Sequence, residues 1–154
     1  MPDLLVNLLK LPEPEAHTGF IIRRAQPFEV TPVRRFVAEN FSQGWADEIS
    51  VGFARQPISV YVATIDHKLV GFAAYECTRR GFFGPTGVIE AVRGKGVGKA
   101  LLLAALIALR EMGYVYGIIG AAGPVHFYQK TVGATVIPGS EPGIYTDLLK
   151  NTDS

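Results

Sequence analysis

The sequence predicts an α/β layered domain built on a mixed sheet. Three observations carry that expectation: β-branched and aromatic runs cut by turn residues, an early stretch with apolar residues at helical spacing, and a long apolar helix behind a glycine-rich loop. Hairpins force neighbouring strands antiparallel. A helix between two strands instead lets the chain cross over, so both kinds of pairing belong in one sheet.

Taken in order, residues 20–24 read as a first strand and residues 27–41 as a helix, with Val30, Val33, Phe36, Val37 and Phe41 on one face. A shorter helical patch covers 45–53. Residues 58–65 are rich in β-branched side chains and tyrosine, Asp66-His67-Lys68 makes a turn, and 69–78 completes a hairpin. Arg79-Arg80-Gly81 is a second turn, and 82–92 is the central strand that feeds the glycine loop. The apolar helix spans 99–112 and stops at Gly113; its apolar residues surround it, which requires cover on more than one side. A short apolar strand follows over 114–121. Pro124 starts a brief helix, since a first-turn residue needs no N–H. Residues 134–138 and 143–149 read as closing strands.

Composition bounds the function. A chain of 154 residues, 48% of them hydrophobic, supports one substantial core. The formal net charge of +1 argues against a general nucleic-acid surface, which concentrates lysine and arginine. Cys77 is the only cysteine, so neither an intrachain disulfide nor a thiol zinc cluster can form; no metal is expected, and a reducing, cytoplasmic compartment is. The apolar run at 4–9 carries Asp3 and Lys10 at its ends and reaches Pro12-Glu13-Pro14-Glu15 without a cleavage region, so it does not read as an export signal. The helix over 99–112 is too short for a bilayer, and no membrane partner is expected. That helix and the leucine-rich N-terminal arm suit either a homodimer contact or completion of the monomer's own core.

The most informative stretch is Arg93-Gly94-Lys95-Gly96-Val97-Gly98-Lys99-Ala100, which runs straight into the apolar helix. Alternate glycines let backbone N–H groups turn outward, and a helix N-terminus adds unpaired donors and a positive dipole end; together they suit a phosphate. A Walker loop would need glycine where Arg93 stands and a hydroxyl where Ala100 stands. A dinucleotide fingerprint from Gly94 would need glycine at Lys99. The pattern Arg93-x-x-Gly96-x-Gly98 instead resembles the pyrophosphate signature of the GNAT acyltransferase superfamily. Downstream, Phe127-Tyr128-Gln129-Lys130-Thr131-Val132-Gly133-Ala134 resembles the family segment that closes the acetyl-CoA site.

The resemblance spans roughly residues 20–149, leaving 1–19 as an N-terminal arm and 150–154 as a tail. It implies a mostly antiparallel central sheet flanked by helices, with the strands before and after the long helix splayed apart to admit pantetheine. It further implies that Thr86 and Val88 offer backbone groups to pantetheine while Arg93, Gly94, Lys95, Gly96, Val97, Gly98 and Lys99 surround the pyrophosphate. An inward-pointing cation there adds on the order of one to two kcal/mol. The function implied is N-acetyl transfer from acetyl-CoA to a primary amine of a small molecule or peptide, by direct attack in a ternary complex. The alternative is an acyl-CoA-binding or sensor protein without catalysis.

Tyr128 falls on the family's motif tyrosine and is the candidate proton donor to the departing thiolate; packing its ring against the helix is the other role open to it. Glu76, Glu90 and His126 are the options for a base, and none is singled out. Many relatives carry an asparagine near the end of the strand after the helix, where this chain reads Gly120-Ala121-Ala122-Gly123. For the acceptor pocket, Trp45, Tyr61, Tyr75, Phe82, Phe83 and Tyr145 are candidate walls. Asp47, Glu48 and Glu141 are candidate attractions for an amine, and Arg79-Arg80 for an anion.

Overall fold

Alternating apolar residues pair into a hairpin, β3 (Val60–Ile65) with β4 (Lys68–Tyr75), across the two-residue turn Asp66-His67. Both turn residues have positive φ, 50° and 66°, the geometry whose twist matches that of the flanking strands. The computed structural model describes residues 1–150; beyond Lys150, the tail expected at 150–154 lies outside them. The remaining strands are β1 (Leu4–Asn7), β2 (Ile21–Arg24), β5 (Phe82–Val88), β6 (Tyr116–Ile119) and β7 (Thr135–Val136). They form one sheet in the order β2-β3-β4-β5-β6-β1-β7. Every pairing is antiparallel except β5 with β6.

Helices cover both faces. On one lie α1 (Val30–Asn40) and α2 (Gln43–Phe53), whose Val33, Val37, Ala46 and Ile49 pack with Val60, Val62 and Phe72 of the sheet. Ser42 caps α2 by accepting the Trp45 N–H at 3.1 Å. On the other face α3 (Val97–Glu111) buries Leu101, Leu102, Leu103, Leu106 and Leu109, while α4 (Val125–Val132) closes the far end. β4 is accordingly buried from Val70 to Tyr75, as a strand covered on both sides must be.

The apolar run at the N-terminus enters the sheet as β1, between β6 and β7, and Leu4, Val6 and Leu8 are fully buried beside α3. The cover that α3 requires is therefore supplied within the chain. Several expected boundaries shift for identifiable reasons. The central strand ends at Val88 rather than at 92, because the chain turns through a 3-10 segment, Glu90–Val92, closed by the Arg93 N–H on Glu90 C=O. The long helix starts at Val97, two residues early, since Gly96 in the left-handed region makes the turn into it. Residues 143–149 form turns instead of a strand: Tyr145 N–H bonds Pro142 C=O, and Gly143 and Asp147 adopt positive φ. The strand expected at 134–138 shrinks to Thr135–Val136.

Candidate active site

β5 and β6 run parallel and pair only where β5 begins and β6 ends, Phe82 with Ile118 and Phe83 with Ile119. Beyond Phe83 one edge of β5 has no strand neighbour among the described residues, and the sheet opens into a gap. Residues along a strand point their N–H and C=O groups alternately to the two sides. Ile89 N–H bonds Val70 C=O on the β4 side, so the backbone groups of Val88 and Thr86 face the gap. The Thr86 hydroxyl donates to Phe72 C=O at 3.0 Å, which fixes that side chain toward β4.

At the end of β5 the loop enters α3. Gly94 and Gly96 have φ of 84° and 85°, and nothing stands within 4 Å of where a Cβ would project. Conformation, rather than crowding, demands glycine at both positions. The first backbone bond of the helix is Ala100 N–H to Gly96 C=O. Among the described residues, the N–H groups of Gly94, Lys95, Gly96, Val97, Gly98 and Lys99 consequently find no acceptor in the chain, and the last three sit at the positive end of the α3 dipole. Of the three cations nearby, Arg93 donates Nε to Val88 C=O at 3.3 Å and Lys99 pairs with Glu15 at 3.0 Å. Lys95 is exposed.

Tyr128 lies on α4 at 5% exposure, its ring edge-on to Phe83 at 6.2 Å and Phe127 at 5.3 Å. The ring therefore packs on Phe83, where β5 parts from β6. Burial pushes its phenol up to about 12.

A second cavity, of about 720 Å³, opens on the α1–α2 side of the gap. Phe41, Trp45, Phe82, Phe83, Pro85 and Tyr145 wall it, Glu48 and Glu141 add charge, and Gly120 and Ala121 border it from the end of β6. Glu48 accepts a hydrogen bond from the Thr78 hydroxyl. Glu141 takes the Met1 ammonium at 2.6 Å, on an exposed rim.

A protein-family model described as an acetyltransferase (GNAT) domain matches residues 56–131, from the turn before β3 to the end of α4. That stretch, just under half of the chain, carries the match to a GNAT acetyltransferase domain. The chain's fold is shared with solved GNAT structures. A glucosamine N-acetyltransferase region of a fungal multi-domain GH3 β-N-acetylglucosaminidase superposes with a TM-score of 0.72 at 18% identity, covering 88% of this chain and 19% of that one. A GCN5-related N-acetyltransferase from Sphaerobacter thermophilus gives 0.71 at 20% identity, over 88% of this chain and 48% of that one. A GNAT family acetyltransferase from Brucella melitensis, solved with acetyl-CoA, gives 0.58 at 21% identity, over 74% and 82%. The chain thus spans less than half the length of the first two. No curated protein matches it in sequence.

Within this GNAT fold the three candidate bases disperse. Glu76 is buried but committed, accepting from Gly81 N–H and from the Tyr114 hydroxyl at 3.1 Å. Glu90 and His126 are exposed, in the turn after β5 and on α4. Tyr61 and Tyr75, candidate pocket walls in the sequence, lie on the α3 side instead, where Arg24 sits 4.8 Å over the Tyr61 ring and bonds the Tyr75 hydroxyl. Asp47 is held by Arg34 at 3.0 Å. Sequence reasoning missed Phe41 and Pro85 as cavity walls. The one signal for Phe41 is Gly87, where an added Cβ would lie 2.5 Å from the Phe41 ring; a glycine inside a strand marks such a close approach.

Proposed function

We propose that the chain transfers the acetyl group of acetyl-CoA to a primary amine of a small molecule or peptide, within a ternary complex. The observation that carries this reading is the run of six N–H groups at residues 94–99 without an acceptor among the described residues, at a helix N-terminus and beside a strand edge that none of those residues pairs. Such donors fit a diphosphate. The backbone of Thr86 and Val88 fits an extended amide-bearing arm, which would complete the strand edge as an added strand does. The resemblance to a fold solved with acetyl-CoA supports the same assignment.

Bound there, acetyl-CoA supplies an activated thioester. The neutral acceptor nitrogen uses its lone pair to form the C–N bond. The C–S bond breaks, and its electron pair leaves on sulfur. Tyr128 donates a hydrogen bond to that sulfur, and the proton lost by nitrogen ends on the thiol. Arg93, Lys95 and Lys99 stand beside the diphosphate site, with Lys99 released from Glu15 when phosphate replaces the carboxylate.

Cys77 is the chain's only thiol, and so the one thiol that would support a covalent acyl-enzyme. It is buried against Ser59, and burial pushes its thiol up to about 11, the reverse of activation. Cys77→Ala is expected to keep turnover within about twofold, judged by kcat for thiol release; complete loss in a folded variant would restore the covalent route.

The reading as a whole is tested by thermal stabilisation and thiol release. CoA should raise Tm and magnesium-ATP should not, and free thiol should appear from acetyl-CoA only when an amine is added. Stabilisation by CoA without amine-dependent thiol release would return the chain to an acyl-CoA-binding role. Stabilisation by ATP alone would remove the CoA site.

A further inference from the structure

The cavity on the α1–α2 side has a composition that selects among amines. Its walls are aromatic and preformed: Phe41 contacts Trp45 at 5.7 Å and Phe72 at 5.5 Å between ring centroids, so neither Phe41 nor Trp45 is a loose surface side chain. Its volume of about 720 Å³ admits an arylalkyl group with room for the end of an acyl donor.

Its charges are just as uneven. Glu48, from α2, reaches the wall with only the Thr78 hydroxyl bonded to it; among the described residues no lysine or arginine pairs with it. A carboxylate accepts at about four lone-pair sites, so acceptor capacity remains. Glu141 adds a second negative charge at the rim, where it holds the Met1 ammonium. Arg79, the cation of the adjoining turn, donates to Thr78 C=O. Aromatic faces attract a cation as well, and most strongly where water is thinned.

We infer that the acceptor is a cationic primary amine on an apolar, aromatic-sized body without a neighbouring carboxylate, and that Glu48 holds its ammonium on entry, before the ammonium gives one proton to water and the neutral nitrogen attacks. The inference deepens the acetyl-transfer reading and relies on it for the chemistry, though not for binding. A carboxylate beside the amine would meet Glu48 as a like charge, Glu141 being paired already with the Met1 ammonium. Sugar hydroxyls spread round a ring would in part face the side chains of Phe82, Phe83 and Pro85, which offer no partner, whereas Ser42, Thr78 and Tyr145 reach only part of the wall, and burying unpaired hydroxyls is costly.

Trp45 is the chain's one tryptophan and lines the cavity, which makes occupancy directly visible. Titrating the full chain with 2-phenylethylamine should quench Trp45 saturably, with a Kd at least about tenfold below those of phenylalanine and glucosamine. Glu48→Gln should raise the 2-phenylethylamine Kd at least about fivefold, leave phenylalanine no weaker, and preserve stabilisation by CoA, which reports that the variant is folded. Equal binding of phenylalanine or glucosamine, no saturable quenching, or indifference to Glu48→Gln would overturn the inference. Thiol release separates the two readings. Selective binding of 2-phenylethylamine without thiol release keeps the cavity assignment and defeats acetyl transfer, whereas turnover that prefers glucosamine does the opposite.

Discussion

Gly96→Val is expected to abolish stabilisation by CoA and to lower kcat/KM for acetyl-CoA at least about 100-fold, while Gly96→Asn keeps both within about tenfold of the parent. Gly96 is the N-cap of α3 at φ 85°, with open space where a side chain would project. A clash therefore does not distinguish the two variants. Conformation does, because a β-branched residue held in the left-handed region costs about 1–3 kcal/mol, whereas asparagine visits it readily. Valine relieves that strain by swinging the loop, and the N–H groups of residues 94–98 swing with it. Losing two hydrogen bonds to a charged diphosphate, at about 1.5–3 kcal/mol each, accounts for the expected factor. Far-UV circular dichroism and apo Tm report the fold of each variant, so the readout is the CoA-dependent part alone. Equal CoA stabilisation in the valine and asparagine variants would show that the loop's conformation does not matter to the ligand.

That loop was legible in the sequence because everything that makes it is local. Alternate glycines, a following apolar run and a downstream Phe-Tyr segment lie within some forty residues, and each acts through its own backbone or its own helix. The hairpin was legible for the same reason, although its turn proved to be Asp66-His67 alone. β1 was not. Its four residues pair with β6, over a hundred positions away, and nothing beside them in sequence says which edge they will join. Only the alternation of Leu4, Val6 and Leu8 hinted at a half-buried strand. The closing strand at 143–149 failed for the complementary reason. Its composition allows a strand, but Pro142 and the positive φ of Gly143 bend it into turns that place Tyr145 on the cavity.

The acceptor side shows where strand parity decides. Trp45, Glu48, Phe82, Phe83, Glu141 and Tyr145 were readable as candidates and do share one cavity. Tyr61 and Tyr75 had equal claim by residue type. They face α3, because side chains along a strand alternate and theirs fall on the other parity from Val60, Val62 and Ala74. Burial around Tyr145 also raises its phenol, with the Glu48 and Asp3 charges adding to the shift and Arg79 opposing it.

Tyr128→Phe is expected to lower kcat about 10- to 100-fold while leaving the KM for acetyl-CoA and the CoA-dependent Tm shift within about twofold. The hydroxyl is the only atom removed, and the ring's packing on Phe83 and Phe127 survives the change. Burial makes Tyr128 a weak acid, up to about 12, so it serves better as a hydrogen-bond donor to the developing thiolate than as a source of a freely transferred proton. A hydrogen bond to a charged group is worth about 1.5–3 kcal/mol, which sets the size of the kcat effect. The raised phenol also fixes the pH behaviour. Tyr128 stays protonated from neutrality to pH 10, so its ionisation adds no alkaline limb to kcat over that range. Because the folded phenol binds its proton more tightly than the unfolded one, the stability it contributes is whole below about pH 10. That stability is lost as pH climbs through about 12. Urea unfolding of the parent should therefore weaken between pH 9 and 11 more than that of Tyr128→Phe. A phenylalanine variant with unchanged kcat would confine Tyr128 to packing and leave the departing sulfur to another donor.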